Sequence, residues 1–231
     1  MKAMILAAGH GTRMRPLTDH TPKPLLEVGG KPLIVWHIEK LQKAGFKDIV
    51  INIAWLGEQI PEALGDGSAF GVNLHYSDEQ QEGALETAGG IVKALPLLAG
   101  KSGDEPFLVV NGDVWCDLHY RHDNPLHEND LAHLILVNNP AHNPEGDFAL
   151  LKNRVSPDGA KKFTFSGIGY YHPALFNKLS QGKRPLAPLL RQAMSRHQVS
   201  GELFAGDWRD IGTPERLQQL DDALSVLRMD E

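Results

Sequence analysis

Only one cysteine, Cys116, occurs in the 231 residues. A single thiol makes no internal disulfide and no zinc-holding thiolate cluster. A disulfide-stapled secreted domain is therefore excluded, and a reducing, cytoplasmic setting is expected. Long apolar runs are missing too. None approaches the ~20 residues that span a bilayer, and the apolar start runs into glycines after Ala8, too short for a secretory signal. No membrane partner is expected. Positive charge is in short supply: Lys plus Arg number 23 against 29 Asp plus Glu, a net charge of −6. Proteins that coat nucleic acid show the reverse balance, so no nucleic-acid partner is expected. Internal repeats, low-complexity tracts and long linkers are absent. What remains, 42% hydrophobic and 23% charged, is the composition of a globular chain with a sizeable core in one domain.

The charge is uneven. Residues 1–47 hold eight Lys and Arg against three acids, which suggests a local anion site on an acidic chain, although solvated lysines give the same count. Apolar runs alternate with helical patterns. Lys2–Ala8, Asp48–Ala54, Val72–Tyr76, Phe107–Val110 and Leu131–Val137 read as buried strands. Pro32–Ala44, Trp55–Leu64 and Glu86–Leu98 read as the helices between them, the first closed by Gly45. This βα alternation predicts an α/β fold with a mostly parallel central sheet covered by helices. The rest is less regular. Phe148–Leu151, Lys162–Tyr170 and Trp208–Ile211 read as strands, Leu186–His197 as a helix, and a terminal helix starts at Thr213-Pro214-Glu215 with a stripe of Leu217, Leu220, Leu224 and Leu227.

The first strand leads into Gly9-His10-Gly11-Thr12-Arg13. Two glycines two apart let the backbone turn tightly and approach a ligand, and successive N–H groups there make an anion nest. The spacing is neither that of a Walker loop nor that of the dinucleotide fingerprint, since Met14 stands where the third glycine belongs. Alone, such a turn serves chain reversal as often as binding. Three features add weight. Lys23 sits braced between Pro22 and Pro24, which suits a fixed cation. Asn111-Gly112-Asp113 ends an apolar strand, where ligands collect in open α/β sheets. Asp210 precedes a glycine turn and a capped helix, and two carboxylates brought together would make an oxygen site for Mg²⁺.

Together the run Leu6–Thr18, Pro22-Lys23-Pro24, residues 29–34, Leu85-Glu86-Thr87-Ala88-Gly89-Gly90, residues 111–113 and Trp208–Pro214 resemble, in order and along essentially the whole chain, the sugar-1-phosphate nucleotidylyltransferase family. The resemblance implies a Rossmann-like three-layer fold, with a nucleotide-binding part at 1–115 and a β-rich sugar-binding part plus terminal helix at 116–231. It implies in-line attack of a sugar phosphate on the α-phosphorus of a nucleoside triphosphate, catalysed by positioning and charge neutralisation. Arg13 and Lys23 would be the catalytic cations. Ala7, Ala8, Gly9, Gly11, Thr12, Glu86, Thr87 and Gly112 would join them around the nucleotide. Asn111, Asp147 and Gly167 would meet the sugar, and Asp113 and Asp210 would hold Mg²⁺. The Leu-Glu-Thr-x-Gly-Gly run, the Asn-Gly-Asp-Val-Trp stretch and Phe165-Ser166-Gly167-Ile168 are most similar to the branch that uses UTP and N-acetylmuramic acid α-1-phosphate in cell-wall recycling. Alternatives are mannose-1-phosphate guanylyl, glucose-1-phosphate uridylyl or thymidylyl, and phosphocholine cytidylyl transfer. An alternative of another class is a non-catalytic nucleotide-sugar-binding regulator. A monomer or small homo-oligomer is expected.

The chain departs from the family in lacking a Glu-Lys-Pro element before the sugar-side strand. Lys161 or Lys162 would have to supply that cation. For Asp147, reaching the sugar and capping a turn are equal readings. His119, His122 and His127 lie in a polar stretch that reads as a solvated loop more than a metal site. Core packing is the simpler account of Trp115, Trp208 and Cys116.

Overall fold

Strand β1 (Lys2–Leu6) is a five-residue apolar run with no room for solvent on either side: Ala3, Met4 and Ile5 have no exposed surface. The structure, a computed structural model, describes residues 1–229, and in the last helix the side chains as far as Ser225. A small hairpin, β2 (Glu27–Val28) and β3 (Lys31–Pro32), leads into α1 (Leu33–Lys43). Then follow β4 (Asp48–Ile53), the short α2 (Gln59–Leu64), β5 (Asn73–Asp78), α3 (Glu86–Leu98) and β6 (Phe107–Asn111). The second half comprises β7 (Val114–Cys116), β8 (Ala132–Val137), β9 (Phe148–Leu151), β10 (Arg154–Ser156), β11 (Lys162–Tyr171), α4 (Leu186–Met194), β12 (Val199–Phe204), β13 (Trp208–Asp210) and α5 (Pro214–Met229).

The main sheet has nine strands in the order β5-β4-β1-β6-β11-β8-β12-β10-β9. The pairings β5–β4, β4–β1, β1–β6 and β8–β12 are parallel, and only β11 and β10 run against the rest. The expected parallel sheet with helical cover is therefore present, with one correction. The 132–137 strand does not continue the parallel run beside β6, because β11 inserts between them antiparallel to both. A ten-residue strand returning from the second half is what joins the halves into one sheet.

Local signals explain most boundaries. The α1 stripe of Ile34, Ile38 and Leu41 is fully buried, worth roughly 1.5–3 kcal/mol per side chain removed from water. The helix closes as a glycine cap should: Gly45 has φ +95°, Gly45 N–H donates to Gln42 O, and Phe46 N–H donates to Leu41 O. The helix expected over 55–64 begins only at Gln59. Leu56 there has φ +49°, which breaks helical geometry. At α5, Arg216 N–H donates to Thr213 Oγ1 at 3.4 Å, and Leu217, Leu220 and Leu224 are buried beside Met14, Val28 and Trp115. Leu227, the last of the expected stripe, has a side chain outside the described residues. Five strands, β2, β3, β7, β10 and β12, are not read from the sequence: β2 and β7 pair with β3 and β13 in two-stranded ribbons, while β12 and β10 lie inside the main sheet between β8 and β9. Among the described residues no helix is long and apolar enough to cross a membrane.

Candidate active site

The carboxyl ends of β1 and β6 lie side by side, and Gly112 N–H donates to Leu6 O at 2.8 Å just beyond them. A Cβ on Gly112 would stand 2.6 Å from that oxygen, so only glycine lets the two loops close this far. Above this junction opens a cavity of about 220 Å³, lined by Leu6, Ala7, Ala8, Gly9, Lys23, Pro24, Asn52, Glu79, Ala84, Glu86, Thr87, Asn111, Gly112 and Asp113. A second cavity, of about 480 Å³, continues from it and shares Glu86, Thr87 and Asn111. Its other walls are Val109, Asp147, Phe148, Phe165, Gly167, Tyr171 and the α4 residues Leu186, Ala187, Leu190 and Arg191, with Pro185 before them.

The expected site residues divide between these places. Ala7, Ala8, Gly9, Lys23, Glu86, Thr87, Asn111, Gly112 and Asp113 line the first cavity, and Asp147 and Gly167 join Asn111 in the second. Gly11, Thr12, Arg13 and Asp210 lie outside both linings. Gly11 has φ +62° and packs on Thr18, so it shapes the turn. Arg13 reaches Gly212, its Nη1 lying 3.2 Å from where a Cβ there would stand. Lys161 stacks over Phe163, and neither Lys161 nor Lys162 lines a cavity.

The backbones that carry the two aspartates adjoin. β7 and β13 form an antiparallel ribbon in which Asp210 opposes Val114, and Ile211 N–H donates to Asp113 O at 2.8 Å. Lys23 is only 8% exposed, and its Nζ donates to Asp113 Oδ2 at 2.9 Å. Asp210 Oδ2 accepts from Arg216 Nη1 at 2.6 Å and lies 3.1 Å from His142 Nε2. Each carboxylate is thus held by one cation. Beneath the ribbon, His37 is buried and its ring is bonded to the Val114 backbone; burial, with Lys40 adding to it, holds its pKa down at about 4. Lys40, its pKa also lowered by burial, sits over the Trp115 ring.

Two wall residues had no signal in the sequence pattern. Asn52, at the end of β4, accepts from Ala7 N–H through Oδ1 at 2.8 Å and donates through Nδ2 to Glu79 Oε1 at 2.8 Å. Glu79 Oε2 accepts from Leu85 N–H at 2.9 Å. Glu79 has no exposed surface, and burial raises its pKa against the pull of those hydrogen bonds. This relay ties the glycine loop to the segment before α3. Gly90 is part of it, since a Cβ there would stand 2.7 Å from Glu79 Oε1.

In the wall of the second cavity, β11 carries a bulge between Phe165 and Ile168, and Gly167 in it has φ +78°. A Cβ there would stand 2.5 Å from Asn111 Nδ2, so the glycine admits the Asn111 amide. Asp147 accepts from Phe165 N–H at 2.8 Å and braces the same bulge. The remaining candidates fall outside. Trp115 and Cys116 are buried, and Trp208 donates to Ser166 O from the core side. His122 packs on Phe46, and among the described residues no group of three His, Cys, Asp or Glu could hold a metal by itself.

The nucleotidyl transferase family model matches residues 2–225. The chain is 56% identical over 227 residues to an N-acetylmuramate alpha-1-phosphate uridylyltransferase of Neisseria meningitidis serogroup B, covering 95% of this chain and 96% of that one. It is 39% identical to a mannose-1-phosphate guanyltransferase of Yarrowia lipolytica, over 93% of this chain but only 61% of that protein's length. Among solved structures, a CTP:phosphocholine cytidylyltransferase from Streptococcus pneumoniae superposes with a TM-score of 0.72 at 24% identity, over 96% of this chain and 98% of that one. A Bacillus anthracis chain assigned as a glucose-1-phosphate thymidylyltransferase gives 0.81 at 22% identity, over 97% and 95%. Both share the fold.

Proposed function

The chain belongs to the nucleotidyl transferase family and is a nucleotidyltransferase; from that premise we propose that it transfers the uridylyl group of UTP to N-acetylmuramate α-1-phosphate. The product would be a nucleotide sugar for cytoplasmic cell-wall recycling. The observation that carries the reaction is the buried Lys23 paired with Asp113 on the wall of the first cavity, with the strand that ends in Asp210 adjoining. The choice of sugar and base rests on the 56% identical relative.

The substrates lie across the junction, nucleotide in the first cavity and sugar in the second. A phosphate oxygen of the sugar phosphate bonds to the α-phosphorus as the bond to the β,γ-pyrophosphate breaks. The attacking phosphate is already ionised, so no protein base is required; the chain positions the groups and offsets their charge. Lys23, fixed by burial, brings its ammonium to the floor of the first cavity. Arg13, beside Gly212, supplies charge at the loop over the ribbon. Asn111 stands at the shared wall, placed by the Gly167 bulge.

Asp113 and Asp210 would hold Mg²⁺. The fit is that of the donor set: two carboxylates, one just before β7 and one at the end of β13, with no third acid grouped with them among the described residues, which suits an ion that completes its shell with substrate phosphates and water rather than a protein cage. When bound, Mg²⁺ supplies positive charge that screens the two phosphates from each other. Residues 1–115 then form the nucleotide part and 116–231 the sugar part.

The test is pyrophosphate release across UTP, GTP, CTP and TTP paired with the 1-phosphates of N-acetylmuramate, mannose and glucose, and with phosphocholine. UTP with N-acetylmuramate 1-phosphate should give the highest kcat/KM. A better rate with GTP and mannose 1-phosphate would overturn the substrate assignment. Asp113→Asn, which keeps an acceptor for the Lys23 ammonium, should abolish metal-dependent turnover while the thermal unfolding midpoint stays within a few degrees.

A further inference from the structure

The second cavity has a single cation on its wall, Arg191 of α4. Leu186 and Leu190 of that helix, four apart, bury against the sheet. The next pair round, Ala187 and Arg191, consequently faces the opening. The two acids of the cavity are already engaged. Asp147 accepts from Phe165 N–H at 2.8 Å and from Asn143 Nδ2 at 3.3 Å. Glu86 Oε1 lies 3.6 Å from Lys183 Nζ. Among the described residues no side chain pairs with the Arg191 guanidinium. It is a planar fork of donors, on an otherwise largely apolar wall, with no anion of its own.

The phosphate of the acceptor has its cation elsewhere. Lys23 and Asp113 belong to the first cavity, and the two cavities join at Glu86, Thr87 and Asn111. A sugar 1-phosphate with its phosphorus toward Lys23 extends its ring through that junction into the cavity that Arg191 lines. A second anionic group on the ring would meet the free guanidinium there. We propose that Arg191 is a specificity residue for acidic sugars, pairing with a carboxylate carried on the sugar ring in addition to the 1-phosphate. This rests on the reaction proposed above, and it assigns to one side chain the selection of N-acetylmuramate over neutral sugars.

Two acceptors isolate the contact. N-acetylmuramate 1-phosphate and N-acetylglucosamine 1-phosphate differ by the lactyl ether that bears the carboxylate. In Arg191→Met the KM for the first should rise about 10- to 100-fold, the loss expected for one charge-assisted pair. The kcat/KM for the second and the KM for UTP should stay within about twofold. Arg191→Lys, which keeps the charge but not the fork, should fall between. Equal losses on both acceptors would overturn the assignment, by placing Arg191 on the phosphate or in the fold; no loss on either would overturn it too. Calorimetric binding of the same two sugar phosphates separates this inference from the reaction it rests on. An enzyme with no uridylyl transfer that still discriminates the two through Arg191 refutes the reaction alone. One that binds both equally, with and without Arg191, refutes this inference.

Discussion

Exchanging the polarity of the Asn52–Glu79 relay tests whether it is built from specific hydrogen bonds or only from fitted volume. In the native chain each atom has one role. Ala7 N–H donates to Asn52 Oδ1, which leaves Nδ2 as donor to Glu79 Oε1, while Oε2 takes Leu85 N–H. Asn52→Asp keeps the acceptor for Ala7 but sets a carboxylate against Glu79 where a 2.8 Å hydrogen bond had been. Glu79→Gln leaves one oxygen for two donors, so an N–H faces an N–H. Either single change leaves buried polar atoms mismatched, at about 1–3 kcal/mol. For a chain of this size that is a fall of roughly 3–10 °C in the unfolding midpoint.

The double variant restores every bond in reverse order. The new carboxylate at 52 accepts from Ala7 and from the new amide at 79, whose oxygen accepts from Leu85. It should recover to within about 1 kcal/mol of the native chain, a non-additivity of the size seen for residues in direct contact. Asn52→Asp alone should also be pH-dependent. Two facing carboxyls can share one proton, so its deficit should shrink as pH falls from 8 toward 5. Thermal and urea unfolding of the four proteins at pH 5, 6.5 and 8 measures all of this. Nucleotide affinity should follow the same pattern, because the relay holds the two loops of the first cavity. A double variant no more stable than the weaker single would refute the reasoning.

Gly90→Ala should destabilise by about 1–3 kcal/mol through overpacking against Glu79 and Asn52, read as a lower urea midpoint at unchanged slope. Lys23→Ala should cut kcat about 10²- to 10³-fold with little change in stability, since the Asp113 carboxylate it leaves is 40% exposed and stays solvated. His37 binds its proton near 4 in the fold and near 6.5 when unfolded. Its contribution is complete above pH 6.5 and is lost as pH falls toward 4, roughly 3 kcal/mol in all. His37→Gln should flatten the stability profile in that window, as followed by denaturant unfolding across pH. Gly167→Ala, forced to φ +78° with its methyl against Asn111, should raise the KM for the sugar phosphate more than that for the nucleotide.

What the sequence shows and what it hides follow from the range of the interactions involved. The strands β1, β4 and β6 and the helices α1 and α3 are visible because apolar spacing and caps are local, and each element announces its own buried face. The β7–β13 ribbon is half visible. Trp208–Ile211 reads as a strand, but Val114–Cys116 is too short to show a period, so the approach of the Asp113 and Asp210 segments follows from motif resemblance and not from pattern. The antiparallel return of β11 is hidden for another reason. An alternating apolar strand fits either direction, and only the Gly167 bulge and the pairing with β6 and β8 decide it. Asn52, Glu79 and Arg191 carry no local mark at all. The first two belong to a chain of hydrogen bonds whose members lie 45, 27 and 6 residues apart. Arg191 differs from any surface arginine on an amphipathic helix only in what faces it. The reaction chemistry sits in loops whose glycines and prolines mark them. The sugar selection proposed for Arg191 falls to a residue whose meaning exists only once α4 has been packed against α3, β10 and β12.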